Sequence, residues 1–137
     1  MASYFQNASK KGKNAFNKMH LSFLAYYEFY KNNPEIFRLM NYIGYIKKKN
    51  TPQRKEWLKF DDELFKGIAL IIDEGIKDGS IRKDIDKNMT TYILAFLSTG
   101  FFRQLSENGE TFTDHFNLNI DNFVKQSLNF ILKSIKN

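Results

Sequence analysis

The chain is 137 residues long, the size of one domain, and 42% of its residues are hydrophobic, which indicates a folded core rather than a disordered segment. The absence of cysteine excludes disulfides, thiolate catalysis and zinc–thiolate sites. The net charge of +6 is uneven, with 12 Lys/Arg against 3 Asp/Glu in residues 1–59 and 9 against 12 in residues 60–137. The basic half is interpreted as solvated surface, with nucleic acid or an acidic membrane as alternative neighbours.

Signals for export and membrane insertion are weak in this sequence. Residues 1–13 contain no apolar run, so no signal peptide is expected. The longest apolar stretch, near Tyr92–Phe102, is about 11 residues long, against the roughly 20 that cross a bilayer. We therefore expect a cytoplasmic protein with no membrane partner.

Apolar residues recur at three- and four-residue steps along the chain, and no stretch shows the clean period-two alternation of a strand. This periodicity predicts five helices. They cover Asn14–Asn32, Pro34 to a fading end at Lys47–Lys49, Gln53–Lys77, the stretch from after Asp86 to Glu107, and Asn119–Lys136. We expect an all-α fold, a helical bundle of about five helices. A single domain accounts for residues 1–137, with residues 1–13 as a polar head that frays or extends the first helix.

Capping residues set the predicted ends of these helices. Asn33 is predicted to cap the second helix and Asp86 the fourth, because both side chains accept hydrogen bonds from free N–H groups. Gly79 and Gly109 each follow a helical pattern and are predicted to end a helix. The segment Thr111–Asn117 is then predicted to be a loop that leads into the fifth helix.

Two glycines lie inside the predicted third helix. Gly67 and Gly75 each weaken it by roughly 1 kcal/mol relative to alanine. Gly67 is interpreted as the position of a kink or of a close helix contact.

The fourth and fifth helices carry more apolar surface than one core requires. Tyr92–Phe102 is apolar nearly all round, so a monomer would expose a patch on this helix. On the fifth helix, Phe130 and Leu132 widen the apolar stripe. Two copies of the chain related by twofold symmetry would bury this surplus as a four-helix bundle.

Residues that perform catalysis or bind metals are scarce. His20 lies beside the apolar stripe of the first helix and is interpreted as a packed or solvent-edge residue, and the surroundings of His115 match no metal-site spacing. The acidic runs Asp61–Glu63 and Asp73–Glu74 are interpreted as solvated faces, because adjacent helical residues do not face one another. The sequence contains no phosphate loop and no nucleophile elbow. We expect neither an enzyme nor a metal or cofactor site.

Aromatic residues are abundant, with 14 Phe, 7 Tyr and 1 Trp. Ordinary core packing explains any single one of them. As a set they favour a cavity between helices, lined by large flat side chains and a few polar tips. The candidates for those tips are Tyr26, Tyr27, Tyr42 and Trp57.

Two stretches of the chain carry a resemblance to a known family. Residues 23–40 read FLAYYEFYKNNPEIFRLM, an aromatic helix followed by an Asn-Pro-Glu break and a second helix. Residues 71–100 read IIDEGIKDGSIRKDIDKNMTTYILAFLSTG and contain a Gly-x-x-Arg-x-Asp-x-Asp pattern formed by Gly79, Arg82, Asp84 and Asp86. Both stretches are similar to the C-terminal regulatory domain of TetR-type transcription repressors, and the resemblance covers most of residues 14–135.

This resemblance implies a ligand-sensing and homodimerisation domain, in which a small apolar or aromatic effector controls DNA binding. The implied effector pocket consists of Phe23, Tyr27, Phe37, Met40, Trp57, Phe60, Leu64 and Phe96. The implied dimer interface consists of Thr99, Phe102, Phe123, Gln126, Ser127 and Phe130. DNA would be bound only through a helix-turn-helix domain that these 137 residues do not contain, so we expect either a fragment of a longer regulator or a stand-alone relative.

Two other classes of function remain open. The basic first half and the aromatic helices suit a peripheral membrane or lipid-binding protein, although the lysines do not form one face opposite one apolar stripe. A metal-dependent helical-bundle enzyme ranks last, because the Glu-x-x-His motif of such enzymes is missing.

Overall fold

The computed structural model describes residue 7, residues 10–46, residue 52 and residues 54–137, and for residues 40, 41, 43–46, 56, 57 and 60 it describes the backbone alone. The described part of the chain forms five α-helices, which are α1 (Ala15–Asn32), α2 (Pro34–Ile46), α3 (Arg54–Asp78), α4 (Lys87–His115) and α5 (Ile120–Lys133). In these ranges an isolated antiparallel bridge between Ile81 and Lys136 is the one β-type pairing. The predicted all-α fold of about five helices is confirmed.

Side chains with a short polar tip start three of the helices. Asn14, Asp86 and Asn119 each accept a hydrogen bond from the backbone N–H three residues later, at 2.9 Å in every case. The prediction for Asp86 is confirmed. The predicted capping of α2 by Asn33 is wrong. The side-chain amide of Asn33 donates to the Phe29 carbonyl at 3.1 Å. Asn33 therefore closes the end of α1, and its side chain does not cap α2.

Helix α4 is longer than the sequence pattern predicts. It continues through Gly109 and ends at His115, so the predicted stop at Glu107 and the predicted loop Thr111–Asn117 are wrong. Gly109 and Thr113 are buried on the inner face of this extension, and the Thr113 hydroxyl donates back to the Gly109 carbonyl at 3.0 Å. Burial of this face outweighs the roughly 1 kcal/mol that an internal glycine costs a helix.

The last residue of α3 and the loop that follows it hold the first turn of α1. The Ala15 N–H donates to Asp78 Oδ2 at 2.8 Å, and the Phe16 N–H donates to Ser80 Oγ at 3.1 Å. Both N–H groups belong to the helix end that has no partners within its own helix. The start of α1 is therefore attached to a segment more than 60 residues away in sequence.

The same loop carries the residues of the Gly-x-x-Arg-x-Asp-x-Asp pattern. Gly79 ends α3 with a φ of 81°, a left-handed conformation that glycine adopts without strain. Arg82 donates two hydrogen bonds to the Asp84 carboxylate, at 3.0 and 2.7 Å. Asp86 caps α4. Each position of the pattern shapes the turn from α3 into α4.

The chain after α5 lies against this loop instead of continuing the helix to Lys136 as predicted. The Arg82 N–H donates to the Ile135 carbonyl at 3.0 Å, and the Asn137 N–H donates to the Ser80 carbonyl at 3.2 Å. One short loop therefore joins the beginning of α1, the end of α3 and the C-terminal residues.

The core lies where α1 and α4 meet the other helices. Helix α1 packs against α2, α3 and α5, and α4 packs against the same three helices. The largest fully buried side chains are Met19 and Tyr27 of α1, Ile68 and Ile72 of α3, Ile81 of the loop, Leu94 and Phe102 of α4, and Val124, Leu128 and Leu132 of α5. Helices α1, α3, α4 and α5 contribute buried residues at helical spacing, as the sequence predicts, and α2 contributes Phe37.

The close contact within α3 occurs at Gly75 and not at Gly67. A Cβ atom on Gly75 would overlap the buried side chain of Ile81, whereas nothing lies within 4 Å of the corresponding position on Gly67. The prediction of a close contact at Gly67 is therefore wrong, because sequence shows that a glycine is present but not what faces it.

Alanine at these two positions is expected to shift stability in opposite directions. Gly67→Ala should raise the free energy of unfolding by up to about 1 kcal/mol, because only helix propensity changes. Gly75→Ala should lower it by about 1–3 kcal/mol, because Ile81 must move. Urea unfolding of the two variants at one protein concentration checks this, and equal shifts would contradict it.

Candidate functional site

A small cavity lies between α1, α3 and α4. Its lining consists of Phe23, Tyr26, Leu64, Ile68, Ala95, Ser98 and Thr99. Its volume is about 20 Å³, which is room for about one water molecule. Among the predicted pocket residues Phe23 and Leu64 line it, together with Thr99, which the sequence analysis assigns to the dimer interface.

Ser98 carries the buried polar group of this cavity. The residue is 5% exposed. Among the buried side-chain nitrogen and oxygen atoms that the structure describes, Ser98 Oγ is the one that has no hydrogen-bond partner. Thr99, its neighbour in the lining, donates instead to the Ala95 carbonyl at 2.7 Å. The surface of the cavity is therefore apolar, and the buried Ser98 hydroxyl lies among its surrounding residues without a hydrogen-bond partner.

An aromatic cluster shares Tyr26 with the cavity lining and extends to α2. The Tyr26 ring packs edge-on against Phe37 and Phe102, with ring centroids 5.4 and 4.7 Å apart. Tyr30 packs edge-on against Phe37 at 4.9 Å. Such contacts add to the stabilisation that aromatic burial already supplies. Phe37, a predicted pocket residue, thus lies in the cluster behind the cavity and not in the cavity lining.

Phe102 does not lie on a surface that a second chain can reach. It is 1% exposed and forms the part of this cluster that comes from α4. The structure therefore places it in the core of the subunit, whereas the sequence analysis assigns it to the dimer interface. A subunit core and a dimer interface both favour large apolar residues. Only the direction of the side chain in the folded subunit shows which of the two a residue belongs to.

Tyr27 connects α1 with the beginning of α5. Its ring is buried, and its hydroxyl donates to Asp121 Oδ1 at 2.6 Å. Burial and then this hydrogen bond raise the pKa of Tyr27 well above its ordinary value. The same bond, followed by the charge of Lys31 at 3.5 Å, holds the pKa of Asp121 below its ordinary value. The predicted pocket residue Tyr27 therefore links two helices and does not line the cavity.

Tyr27→Phe is expected to lower the free energy of unfolding by about 1 kcal/mol at pH 7, because the ring stays buried and only the bond to the half-exposed carboxylate is lost. Since the folded pKa of Asp121 is lowered, this stabilisation is fully present above the unfolded value of about 4. It is lost as the pH falls through the folded pKa.

Urea unfolding of wild type and Tyr27→Phe at pH 7 and at pH 3 measures this effect. The matched control is Tyr30→Phe, whose hydroxyl donates to the neutral Leu105 carbonyl at 3.2 Å. We expect the effect of the control to be the same at both pH values. A Tyr27→Phe effect that does not shrink at pH 3 would contradict the assigned partner.

Phe96 points away from the cavity. It is 79% exposed, so it is not part of the pocket in this structure. Phe96 lies one helical turn from the exposed Tyr92 of α4, and neither residue lines the groove of α4 and α5 described below. The side chains of the other predicted pocket residues, Met40, Trp57 and Phe60, lie outside the described part of the chain.

A wide groove runs along the outer surface of α4 and α5. Its volume is about 560 Å³ and it is open to solvent along its length. Its lining consists of Phe101, Leu118, Asn119, Asn122, Phe123, Gln126, Ser127, Phe130 and Ile131. Four predicted interface residues, namely Phe123, Gln126, Ser127 and Phe130, therefore lie together in it.

Exposed aromatic rings dominate this groove and its rim. Phe130 is 83% exposed. Phe123 lies with its ring 6.2 Å from that of Phe101 and 5.6 Å from that of Phe112. Phe116 continues the row. Phe101, Leu118 and Phe112 are not among the interface residues predicted from sequence. The spacing of Phe101, Gln104, Asn108 and Phe112 along the longer α4 is the signal that places these four on one face.

Within the described ranges, no group of three or more His, Cys, Asp or Glu side chains is arranged to hold a metal ion. Over the same residues, no helix combines the length and the apolar character that are needed to cross a membrane.

Comparison with known proteins identifies the fold. The family described as "Tetracyclin repressor-like, C-terminal domain" matches residues 17–127. The chain is similar in structure to the ketosteroid transcriptional regulator KstR2 of Mycobacterium tuberculosis, with a TM-score of 0.75 and 14% sequence identity. The match covers 99% of this chain and 65% of that one. No curated protein matches the chain in sequence. Since the family match spans most of its length, this chain belongs to the family of tetracyclin repressor-like C-terminal domains.

Proposed function

We propose that this domain is the ligand-sensing and homodimerisation part of a cytoplasmic transcriptional repressor. The observation that carries the proposal is the apolar groove of α4 and α5, which remains exposed in a single subunit. Membership of a family of repressor-like regulatory domains supplies the context. The two parts of the proposal, dimerisation and effector binding, rest on different surfaces.

Exposure of the groove argues for self-association. Large contiguous apolar patches are rare on monomeric proteins and mark sites where another molecule binds. Here the patch lies on two helices in contact, α4 and α5, whose side chains line one groove. Two copies of that face related by a twofold axis form a four-helix bundle, in which each subunit buries the groove of the other.

The cavity beside Ser98 is the proposed effector site. Its volume of about 20 Å³ is too small for an organic molecule, so an effector must move the surrounding side chains apart. Phe23 and Tyr26 on α1 line it, and Tyr27 on the same helix is hydrogen-bonded to α5. A guest that widens the cavity therefore displaces a helix that contacts the dimerisation surface.

This coupling is what a sensor domain requires. An effector controls an equilibrium only when it binds one arrangement better than the other. Movement of α1 is transmitted at two places, through Asp78 and Ser80 at its start and through the hydrogen bond from Tyr27 to Asp121 in its second half. We assign DNA binding to a helix-turn-helix domain outside these 137 residues, since the chain spans 65% of the matched regulator.

Sedimentation velocity at micromolar concentration tests the first part of the proposal. We expect a dimer, and a strictly monomeric chain would contradict it. Native mass spectrometry of the purified protein tests the second part, because a retained small molecule would add a defined mass to each subunit.

A further inference from the structure

Three segments that are distant in sequence meet at one end of the molecule. They are residues 10–18 around the start of α1, residues 77–83 at the end of α3 and in the following loop, and residues 133–137 at the end of α5. The hydrogen bond from the Ala15 N–H to Asp78 joins the first two segments. The bond from the Arg82 N–H to the Ile135 carbonyl joins the second to the third. These three segments together form the lysine-rich end.

Basic residues dominate the lysine-rich end. Residues 10–18 and 133–137 contain six lysines and no acidic residue, and residues 77–83 contain three basic residues and one acidic residue. With the exception of Lys18, the lysines of these segments are exposed and form no ion pair within the described ranges. Their ammonium groups therefore face solvent without a neighbouring counter-charge.

The acidic side chains near this end are engaged within the subunit. Asp78 accepts hydrogen bonds from two backbone N–H groups. Glu74 forms an ion pair with Lys18, and Asp84 forms one with Arg82 at 2.7 Å. These carboxylates have partners of their own, so they do not pair with the exposed lysines.

The charge changes sign along the length of the molecule. Residues 107–121, which include the end of α4 and the start of α5, contain four acidic residues and no lysine or arginine. Helix α4 starts beside the lysine-rich end and has 29 residues, which makes it about 43 Å long at 1.5 Å per residue. A large polyanion is therefore attracted to one end of the subunit and repelled by the other.

An anionic membrane and a nucleic-acid backbone are the two polyanions to compare. Helices that bind a membrane surface insert apolar side chains below the head groups. None of the large hydrophobic side chains that the described structure exposes belongs to the lysine-rich end, and Ile81 and Ile135 are buried there. A surface with ammonium groups and no exposed apolar anchor suits a phosphate backbone better.

We infer that the lysine-rich end contacts the phosphate backbone of duplex DNA. The contact adds a sequence-independent attraction, because ammonium groups bind phosphates as point charges and read no bases. The choice of DNA rests on the proposed function. The matched family is described as a C-terminal domain, so the DNA-reading domain of the proposed repressor precedes α1 and joins this domain at the lysine-rich end.

Fluorescence anisotropy of a labelled random-sequence duplex measures DNA binding by the full chain between about 50 and 200 mM NaCl. The test variant combines Lys11→Gln, Lys83→Gln and Lys133→Gln, one lysine from each segment. We expect its dissociation constant at the lower salt concentration to rise at least about tenfold. The slope of log K against log salt should become shallower by about 2–3, since each phosphate contact contributes about 0.9.

The matched control combines Lys55→Gln, Lys59→Gln and Lys125→Gln. It removes the same charge from exposed lysines that lie outside the lysine-rich end. We expect it to bind the duplex within about twofold of wild type, because charges are screened beyond about 10 Å at 0.1 M salt. Circular dichroism should be the same for wild type and both variants.

An equal loss of affinity in both triple variants would overturn the inference, because net charge alone would then explain binding. Failure of wild type to bind the duplex at about 50 mM NaCl would overturn it as well. Vesicles of phosphatidylserine and phosphatidylcholine test the other polyanion. If wild type bound the vesicles and not the duplex, and the test variant lost that binding, the partner would be a membrane and not DNA.

These outcomes are independent of the tests of the proposed function. A monomeric chain that still showed the expected dependence on the three lysines would contradict the proposed dimer and support the inference. A dimer whose DNA binding did not depend on these lysines would do the reverse.

Discussion

Phe130→Glu is expected to convert the proposed homodimer into monomers while leaving the fold of the subunit intact. Phe130 is 83% exposed, so a glutamate at this position costs a single subunit little. In a symmetric dimer the same position would be buried twice, and each glutamate would lose its water. Central aromatic residues of interfaces contribute about 2–4 kcal/mol each, so dissociation should become easier by at least about 30-fold.

Phe96→Glu is the matched control for this experiment. Phe96 is 79% exposed, nearly as much as Phe130, but it lies outside the α4–α5 groove. We expect Phe96→Glu to sediment like wild type at micromolar concentration and Phe130→Glu to sediment as a monomer. If Phe96→Glu alone dissociated the dimer, the interface would have to lie on a different face of α4. If Phe130→Glu dimerised with wild-type affinity, the groove would not be the dimer interface.

Phe102→Ala is expected to have the largest effect on the stability of the subunit itself. Phe102 is 1% exposed and contacts the rings of Tyr26, Tyr30 and Phe37 at 4.7–6.2 Å. Truncation removes a buried ring and leaves a cavity, which lowers the free energy of unfolding by about 3–5 kcal/mol. That loss is a large part of the 5–15 kcal/mol that stabilises a typical domain.

Phe101→Ala is the control for Phe102→Ala, because the neighbouring ring is half-buried and lines the groove. We expect this variant to weaken association more than it destabilises the subunit. Urea unfolding and sedimentation at one fixed protein concentration separate the two effects, since dimerisation adds to apparent stability. Weaker association of Phe102→Ala without loss of subunit stability would contradict its place in the core.

In the proposed function, α1 is the element that connects the effector cavity with the dimerisation surface. Its side chains reach the cavity through Phe23 and Tyr26, and they reach α5 through Tyr27. Its first turn is held by the loop that follows α3. If α1 shifts, the elements bonded to it must either move with it or lose these hydrogen bonds. Such a connection is what effector binding would need in order to change the proposed dimer.

Periodicity and capping in the sequence were sufficient to predict the helices. Five apolar stripes and the cap at Asp86 are local features, because they depend on residues within one or two turns. The surplus of apolar side chains on the last two helices was predicted as well, and four of the groove residues follow from it. The regulatory family was also indicated by sequence, through the resemblance of residues 23–40 and 71–100.

Tertiary packing decided the features that depend on what faces a residue. Gly109 stays helical because its helix buries one side there, and Gly75 is confined because Ile81 lies above it. Phe102 and Phe130 occur on neighbouring apolar stripes, but one is in the core and the other in solvent. Ser98 is one of several small polar residues in its helix, and only the packing around it shows that its hydroxyl is buried without a hydrogen-bond partner among the described residues. Sequence determined which helices form and how much apolar surface they carry, because these properties are local. The tertiary structure decided which side chains enter the core, the cavity or the groove, because that depends on helices distant in sequence.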